Sequence, residues 1–314
     1  MADRRVIGDA SIEAGTRTGI PARFYEKDFY ITAVLRVLSE RMPSEFVFKG
    51  GTSLSKAYSL IDRFSEDIDL LVLPDPDTGE QVDLIMDKMT ALAVEALGPG
   101  AICTNLEAVP GNSRRVNLGL PLRTVRASTV SKSIQLEPGR RGGPLPSELR
   151  IIGPLLADLG LGLTGPDFDS FEVRVLHPAR TLVEKLFATN ELAAGLVADP
   201  GRLVKSREAR HFYDICRLLT PGSPALGMLN VPGLLGDIVA DCHAVTSQWF
   251  SDGSPTPTPS NLADSPAFTD AAVGLRIRGA YDTACRDLCH PGTAIPPWDE
   301  VVATVSEQRH LLQA

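Results

Sequence analysis

The chain has 314 residues, 43% of them hydrophobic and 22% charged, with a formal net charge of −8. It is long enough for one large domain or two modest ones and apolar enough to bury a core, which excludes wholesale disorder. The acidic balance speaks against broad, sequence-blind nucleic-acid binding; no apolar run reaches the roughly 18 residues of a membrane span, and the start Met1-Ala2-Asp3-Arg4-Arg5 lacks a secretory apolar segment, so a cytoplasmic protein is expected.

Residues 1–20 are polar with little periodicity and predict a loose tail or edge. A helix is expected over roughly Glu26–Leu38, with Phe29, Ala33, Leu35 and Leu38 inward. Phe46-Val47-Phe48 is a short aromatic and β-branched run, the pattern of a buried strand. Gly50-Gly51 breaks it. Thr52 or Ser53 is placed to cap a following helix whose apolar positions include Leu54, Ala57, Tyr58 and Ile61. Free N–H groups and partial positive charge at a helix N-terminus suit a triphosphate. The run Asp67 to Leu73 predicts a second strand. Residues i and i+2 of a strand share a side, so Asp67 and Asp69 point together while Ile68 points to the core. Adjacent carboxylates repel unless a cation sits between them, and Mg²⁺ is commonly held by one or two carboxylates plus substrate phosphates. A glycine turn beside a solvated acidic edge is the plain alternative. The order strand–turn–helix–strand, with both features in it, favours the functional reading.

Pro74-Asp75-Pro76-Asp77-Thr78-Gly79 predicts a turn. A helix follows from about Gln81 to Leu97, with Leu84, Ile85, Met89, Leu92 and Ala93 at helical spacing. Ala101–Leu106, Arg114–Leu120 and Lys132–Glu137 are candidate strands. Arg114, Arg115, Arg123, Arg126, Lys132, Arg140 and Arg141 make this middle segment basic, either as a solvated face or as a seat for phosphate or RNA. Past residue 150 the pattern turns helical. His177-Pro178-Ala179 starts a helix, with Pro near its first turn and Leu182, Val183, Leu186 and Phe187 as its apolar stripe. A second, Glu208–Leu219, carries Arg210-His211-x-x-Asp214 and turns Phe212, Ile215, Leu218 and Leu219 inward. By spacing alone, Lys185 is a solvated helix lysine and Asp214 a surface partner of Arg210. Ser251–Pro266 predicts a flexible loop, and helices around Ala271–Leu288 and from Trp298 close the chain. The five cysteines are an odd set; Cys285, Cys289 and His290 with Cys242 and His243 are the grouping to weigh for zinc, and isolated buried thiols are the expectation. Two parts are expected, 1–150 and 151–314.

The segments Lys49-Gly50-Gly51-Thr52-Ser53-Leu54-Ser55-Lys56-Ala57-Tyr58 and Arg63-Phe64-Ser65-Glu66-Asp67-Ile68-Asp69-Leu70 resemble the AbiEii/AbiGii nucleotidyltransferase-toxin family, which includes the MenT-type toxins. Weaker similarity runs from Tyr25-Glu26-Lys27-Asp28 to Pro297-Trp298-Asp299-Glu300-Val301-Val302. The resemblance implies an α+β fold: a polymerase-β-like nucleotidyltransferase core with a mixed sheet and flanking helices, plus a mostly helical C-terminal part completing the active site. It implies a metal-dependent transferase, using Mg²⁺ or Mn²⁺, that moves NMP from an NTP, a pyrimidine such as CTP, to the 3′ end of tRNA. Pyrophosphate is released, translation is blocked, and a cognate antitoxin protein restrains the toxin. The implied metal ligands are Asp67 and Asp69; Gly50, Gly51, Thr52, Ser53, Ser65 and Lys185 would bind nucleotide. Lys185 matches a family lysine on the triphosphate and Asp214 a family aspartate needed for activity, across an interval lengthened by Ala198-Asp199-Pro200-Gly201. Glu137 is the third carboxylate by position, where the family often has aspartate; an edge glutamate is the alternative. Ser65 is a phosphate contact, a modification site or a turn serine. Three rivals stand beside this reading: a small-molecule transferase of the antibiotic-modifying kind, NMP transfer to protein, and a nucleotide-binding regulator without transfer activity. The intact acidic pair speaks against the last.

Overall fold

Alternating apolar and polar residues lay one face of a mixed sheet on a helical layer and leave the other face partly polar. The computed structural model describes residues 2–65, 67–73, 78–120, 122–124, 133–249 and 256–314. The expected turn at 74–77, Arg126, Lys132 and residues 251–255 of the expected loop lie outside the described residues. Two compact units divide the chain: Met1–Tyr58 with Phe64–Leu176, and Ser59–Arg63 with His177–Ala314.

The first unit opens with a helix where a loose tail was expected. Helix α1 (Arg4–Thr18) starts where the Asp3 carboxylate accepts the Arg5 N–H and stops at Gly19, whose φ of 77° only glycine adopts readily. Ile7, Ser11 and Ala14 form its narrow buried stripe, too small and polar to stand out in the sequence. The next elements are α2 (Ala22–Arg41), β1 (Phe46–Lys49), α3 (Gly50–Lys56), β2 (Asp67–Val72) and α4 (Gly79–Leu97). Thr78 and Gln81 close a capping box on α4, which buries Val82, Met86, Met89 and Leu92 and leaves Leu84 outside, 62% exposed. The strands β3 (Ile102–Val109), β4 (Ser113–Gly119) and β5 (Ser133–Gly139) match their predicted positions within a few residues.

The expected helical turn after residue 150 is corrected by two further strands, β6 (Ser147–Ile152) and β7 (Phe171–Leu176). They pair with each other, Ser147 opposite Leu176 and Ile152 opposite Phe171, and β7 joins β1 through Phe48 and Val175. The first unit therefore extends to Leu176 rather than to about residue 150. The sheet order is β3-β4-β5-β2-β1-β7-β6, with β2–β5 and β1–β7 parallel and the other pairs antiparallel. Phe46, Phe48, Ile68, Leu70, Leu136 and Val175 face the helices and pack with Phe29, Leu35, Val82 and Met86 in one core. Full burial of such side chains stabilises by roughly 1.5–3 kcal/mol each. On the opposite face Val47, Leu71 and Leu176 form a small separate cluster.

The second unit is helical: α5 (Pro178–Ala198), α6 (Ser206–Leu218), α7 (Pro224–Leu229), α8 (Leu234–Trp249), α9 (Pro266–Thr269), α10 (Ala271–Leu288) and α11 (Trp298–Glu307). Helix α5 starts as predicted: the His177 ring nitrogen Nδ1 accepts the Ala179 N–H and Pro178 occupies the first turn. Phe212 of α6 meets Trp298 of α11 at 5.0 Å between ring centroids, and Trp298 meets Tyr281 of α10 at 5.6 Å, so an aromatic knot holds three helices together. The described part of the expected loop contains a 3-10 turn, Leu262–Asp264, and ends where α9 begins at Pro266.

Candidate active site

The acidic pair stands where the strand period puts it. Ile68 and Leu70 of β2 are buried in the core, while Asp67 and Asp69 are only partly buried on the other face. Register extends this polar row across three strands: Lys49 of β1 lies opposite Asp69, and Asp69 lies opposite Glu137 of β5. A cleft of ≈ 240 Å³ opens here, lined in part by Lys49, Asp69, Glu107, Arg114, Arg115 and Glu137.

Gly50 is the residue the turn requires. Its φ is 77°, and a Cβ built on it would lie 1.9 Å from Asp69 Oδ2. Backbone and carboxylate thus approach more closely than any side chain would permit. The expected cap is corrected: α3 begins at Gly50 with Lys49 in the cap position, and Thr52 and Ser53 lie inside the helix. Their hydroxyls donate backward, Thr52 to the Asp67 carbonyl and Ser53 to the Gly50 carbonyl. Thr52 therefore ties the turn to the strand that carries the acidic pair. Gly51, Thr52, Ser53 and Ser65 are all buried.

Two anchors hold these elements. Lys56, the last residue of α3, reaches the buried Asp28 of α2 at 2.6 Å, and Asp28 also accepts the Leu155 N–H at 2.8 Å. Its neighbour Glu26 accepts N–H groups of Arg123 and Thr124 at 2.8 and 2.9 Å. Glu26 and Asp28 of Tyr25-Glu26-Lys27-Asp28 are thus fasteners of the scaffold. Nothing local in the sequence identifies their partners, which lie 28 and 97 residues away.

Among the basic residues, Arg115 is committed: Nε donates to Glu137 Oε1 at 2.9 Å and Nη1 to Glu107 Oε2 at 3.2 Å. Arg114 pairs with Asp87. These two residues of the basic segment are thus held in ion pairs.

The second unit assembles Lys185 and Asp214, but not as their spacing suggested. Asp214 is fully buried and takes a two-pronged hydrogen bond from Arg63, Nε to Oδ1 and Nη2 to Oδ2, both 2.6 Å. Lys185 Nζ reaches Asp214 Oδ2 at 2.7 Å. The expected pairing with Arg210 is replaced by these two cations because α5 and the segment Ser59–Arg63 pack on the buried side of α6. Arg217 turns instead to the Leu60 carbonyl and Asp62. Arg63 is the residue that spacing could not find, since its partner lies 151 positions away. Lys185 is correspondingly 7% exposed, not a solvated lysine.

Electrostatics follow from this enclosure. Burial alone would raise the Asp214 carboxyl, but the charges of Arg63 and Lys185 outweigh it and hold the group below the ordinary carboxylate range. Burial lowers the Lys185 ammonium, which Asp214 only partly restores. His211, whose Nδ1 lies 3.4 Å from Lys185 Nζ, is pushed well below the usual histidine value by burial and then by Lys185.

Asp67 and Asp69 are hard oxygen donors on one face, which suits Mg²⁺ or Mn²⁺ completed by substrate phosphates. Among the described residues, no three His, Cys, Asp or Glu side chains gather as a metal-ligand set. The cysteines are free thiols: Cys216, Cys242 and Cys285 are buried as expected, whereas Cys289 is half-buried and Cys103 exposed. Among the described residues no helix is long and apolar enough to cross a membrane.

MenT4, a nucleotidyltransferase toxin from Mycobacterium tuberculosis H37Rv, aligns with the structure over 100% of both chains, at 17% identity and a TM-score of 0.43. No curated protein sequence matches the chain. The profile described as nucleotidyl transferase AbiEii toxin, Type IV TA system, matches residues 36–304, a stretch that contains the glycine turn, the acidic pair, Lys185 and Asp214. The chain belongs to the AbiEii family of nucleotidyltransferase toxins of type IV toxin–antitoxin systems.

Proposed function

We propose that the chain transfers a nucleoside monophosphate from an NTP, a pyrimidine such as CTP, to the 3′ end of tRNA, blocking translation, under the control of a cognate antitoxin in the cytoplasm. Family membership supports the reaction class. The observation that carries the site is the row Lys49–Asp69–Glu137 across three strands, with Asp67 on the same face and Gly50 packed on Asp69. Asp67 and Asp69 would hold a divalent ion, Mg²⁺ or Mn²⁺, which would supply charge neutralisation and alignment of the triphosphate.

The chain's own residues do the rest. Gly50 lets the turn pack directly against Asp69, and Gly51 with the N–H groups of Thr52 and Ser53 offers donors toward the phosphate oxygens. The acceptor hydroxyl oxygen forms a bond to the α-phosphorus while the bond to the β-phosphate oxygen breaks, releasing pyrophosphate. Glu137 takes the hydroxyl proton. Lys185 neutralises triphosphate charge, and Asp214, locked by Arg63, fixes the direction of the Lys185 ammonium. Ser65 binds phosphate through its hydroxyl.

Incubation with each labelled NTP, Mg²⁺ and total RNA, followed by gel separation and 3′-end mapping, tests this reading. Label at the 3′ end of tRNA-sized RNA is expected. Label only on protein or on a small molecule would reject tRNA as acceptor.

A further inference from the structure

Glu137 and Arg115 sit together at the edge of the acidic face. Glu137 lies opposite Asp69 in the β2–β5 register, on the same polar side. Both its carboxylate oxygens are engaged by one guanidinium: Arg115 Nε donates to Oε1 at 2.9 Å and Nη2 to Oε2 at 3.4 Å. The third nitrogen of the fork, Nη1, donates to Glu107 on β3 at 3.2 Å. A planar fork of this kind fixes a carboxylate's direction as well as its charge. Among the described residues, Glu137 does not join Asp67 and Asp69 in a three-carboxylate set. Its oxygens are turned to β4 instead, although the strand register brings its backbone beside Asp69. The guanidinium also lines the same cleft as Asp69, so its positive charge acts on whatever cation that face receives.

We propose that Arg115 is a positioning residue: it holds Glu137 beside the Asp67–Asp69 pair but outside the groups that grip the metal, and its charge limits how tightly that pair binds a divalent ion. The consequence is a division of labour. Two aspartates serve the metal, and the glutamate is kept for the acceptor's proton. This inference rests on the reading of Asp67 and Asp69 as metal ligands.

Mn²⁺ binding to the full chain without nucleotide, read from the electron paramagnetic resonance signal of the free ion, tests it. The variants are Arg115→Gln, Glu137→Gln, the double variant and Asp69→Asn, with denaturant unfolding confirming that each is folded. Arg115→Gln should tighten Mn²⁺ about tenfold, the scale of removing a nearby positive charge and releasing a carboxylate. Adding Glu137→Gln should remove most of that gain, because Glu137 is the group set free. An affinity for Arg115→Gln no tighter than wild type overturns the proposal. So does a double variant as tight as Arg115→Gln, which would leave Glu137 with no part in the effect. The Asp69→Asn arm separates the two readings. If it abolishes binding while the Arg115→Gln gain is missing, only the Arg115 proposal fails; if Asp69→Asn binds Mn²⁺ like wild type, the metal-pair reading itself fails.

Discussion

Asp69 and Asp214 are both aspartates of the proposed machinery, yet they are held in opposite ways. Asp69 stands part-exposed on a strand face, with the backbone of Gly50 against it. Asp214 is fully buried against Arg63, which is 2% exposed, and Lys185. A carboxylate on an open face loses little hydration and can exchange partners with an arriving ion. A buried one must be matched by fixed cations, and removing one side leaves the other stranded. Charge placed for chemistry and charge placed for architecture are therefore distinguishable by what their loss does to folding.

The largest effects should come from the open face. Asp67→Ala and Asp69→Ala should each lower the transfer rate at least ~10³-fold while unfolding free energy moves by no more than about 0.5 kcal/mol. Steady-state transfer and urea unfolding on the same preparations check this. Near wild-type transfer in either variant would remove that residue from the metal pair.

In the buried cluster the order reverses. Asp214→Ala should destabilise by roughly 3–5 kcal/mol, since Arg63 and Lys185 are left without their counter-charge. Lys185→Ala should destabilise less, because Arg63 still neutralises Asp214, yet transfer and growth arrest should both be lost. A Lys185→Ala variant that still arrests growth would take Lys185 out of the nucleotide site. Gly50→Ala tests the join between turn and strand: the left-handed backbone alone costs about 1–2 kcal/mol for a side-chain residue. Displacement of Asp69 should add a loss of transfer, and an unchanged rate would show that the close approach is dispensable.

A smaller effect concerns pH. His211 has a lowered pKa when folded, so the unfolded chain binds its proton first as pH falls below about 6.5, and the folded state loses stability from there toward the lowered value. The slope should be at most about 1.4 kcal/mol per pH unit, reduced by solvent at the partly exposed residue. Urea unfolding of wild type and His211→Gln between pH 7 and 5 measures it; equal slopes would contradict the assignment. For Asp214 the sign differs in range: its folded pKa is depressed, so its contribution is complete above the ordinary carboxylate value and is lost only in strong acid.

The smallest expected effect is the salt dependence of RNA binding. The net charge is −8, and Arg114 and Arg115 are already paired to Asp87, Glu107 and Glu137, so the slope should correspond to about two to four contacts. Filter binding across salt concentrations measures it. A slope near ten would mean that the ion pairs open on RNA.

Much of the open face was legible in the sequence. An apolar run, two glycines and an Asp-x-Asp strand carry their geometry locally, because turn chemistry and strand period act over a few residues. The start of α5 at His177-Pro178 was legible for the same reason. Strand β7 also carried its signal, Phe171, Val173 and Val175 alternating with Glu172 and Arg174, but a helical expectation past residue 150 obscured it. What spacing could not show were partnerships across long separations: Arg63 with Asp214, Lys56 with Asp28, and Arg115 with Glu137. Such pairs are chosen by packing, and each residue alone looks like an ordinary surface charge. Helix α1 escaped because its buried residues are only Ile7, Gly8, Ser11 and Ala14.

The contrast between the two aspartates is tested most directly by a paired measurement on Asp69→Asn and Asp214→Asn, nearly isosteric changes that each remove one charge. Transfer of labelled NMP to RNA and urea unfolding would be read on the same samples. Asp69→Asn should lose transfer with an unchanged unfolding midpoint, and Asp214→Asn should shift the midpoint downward by several kcal/mol of stability. An Asp69→Asn variant that still transfers, or an Asp214→Asn variant as stable as wild type, would contradict the account.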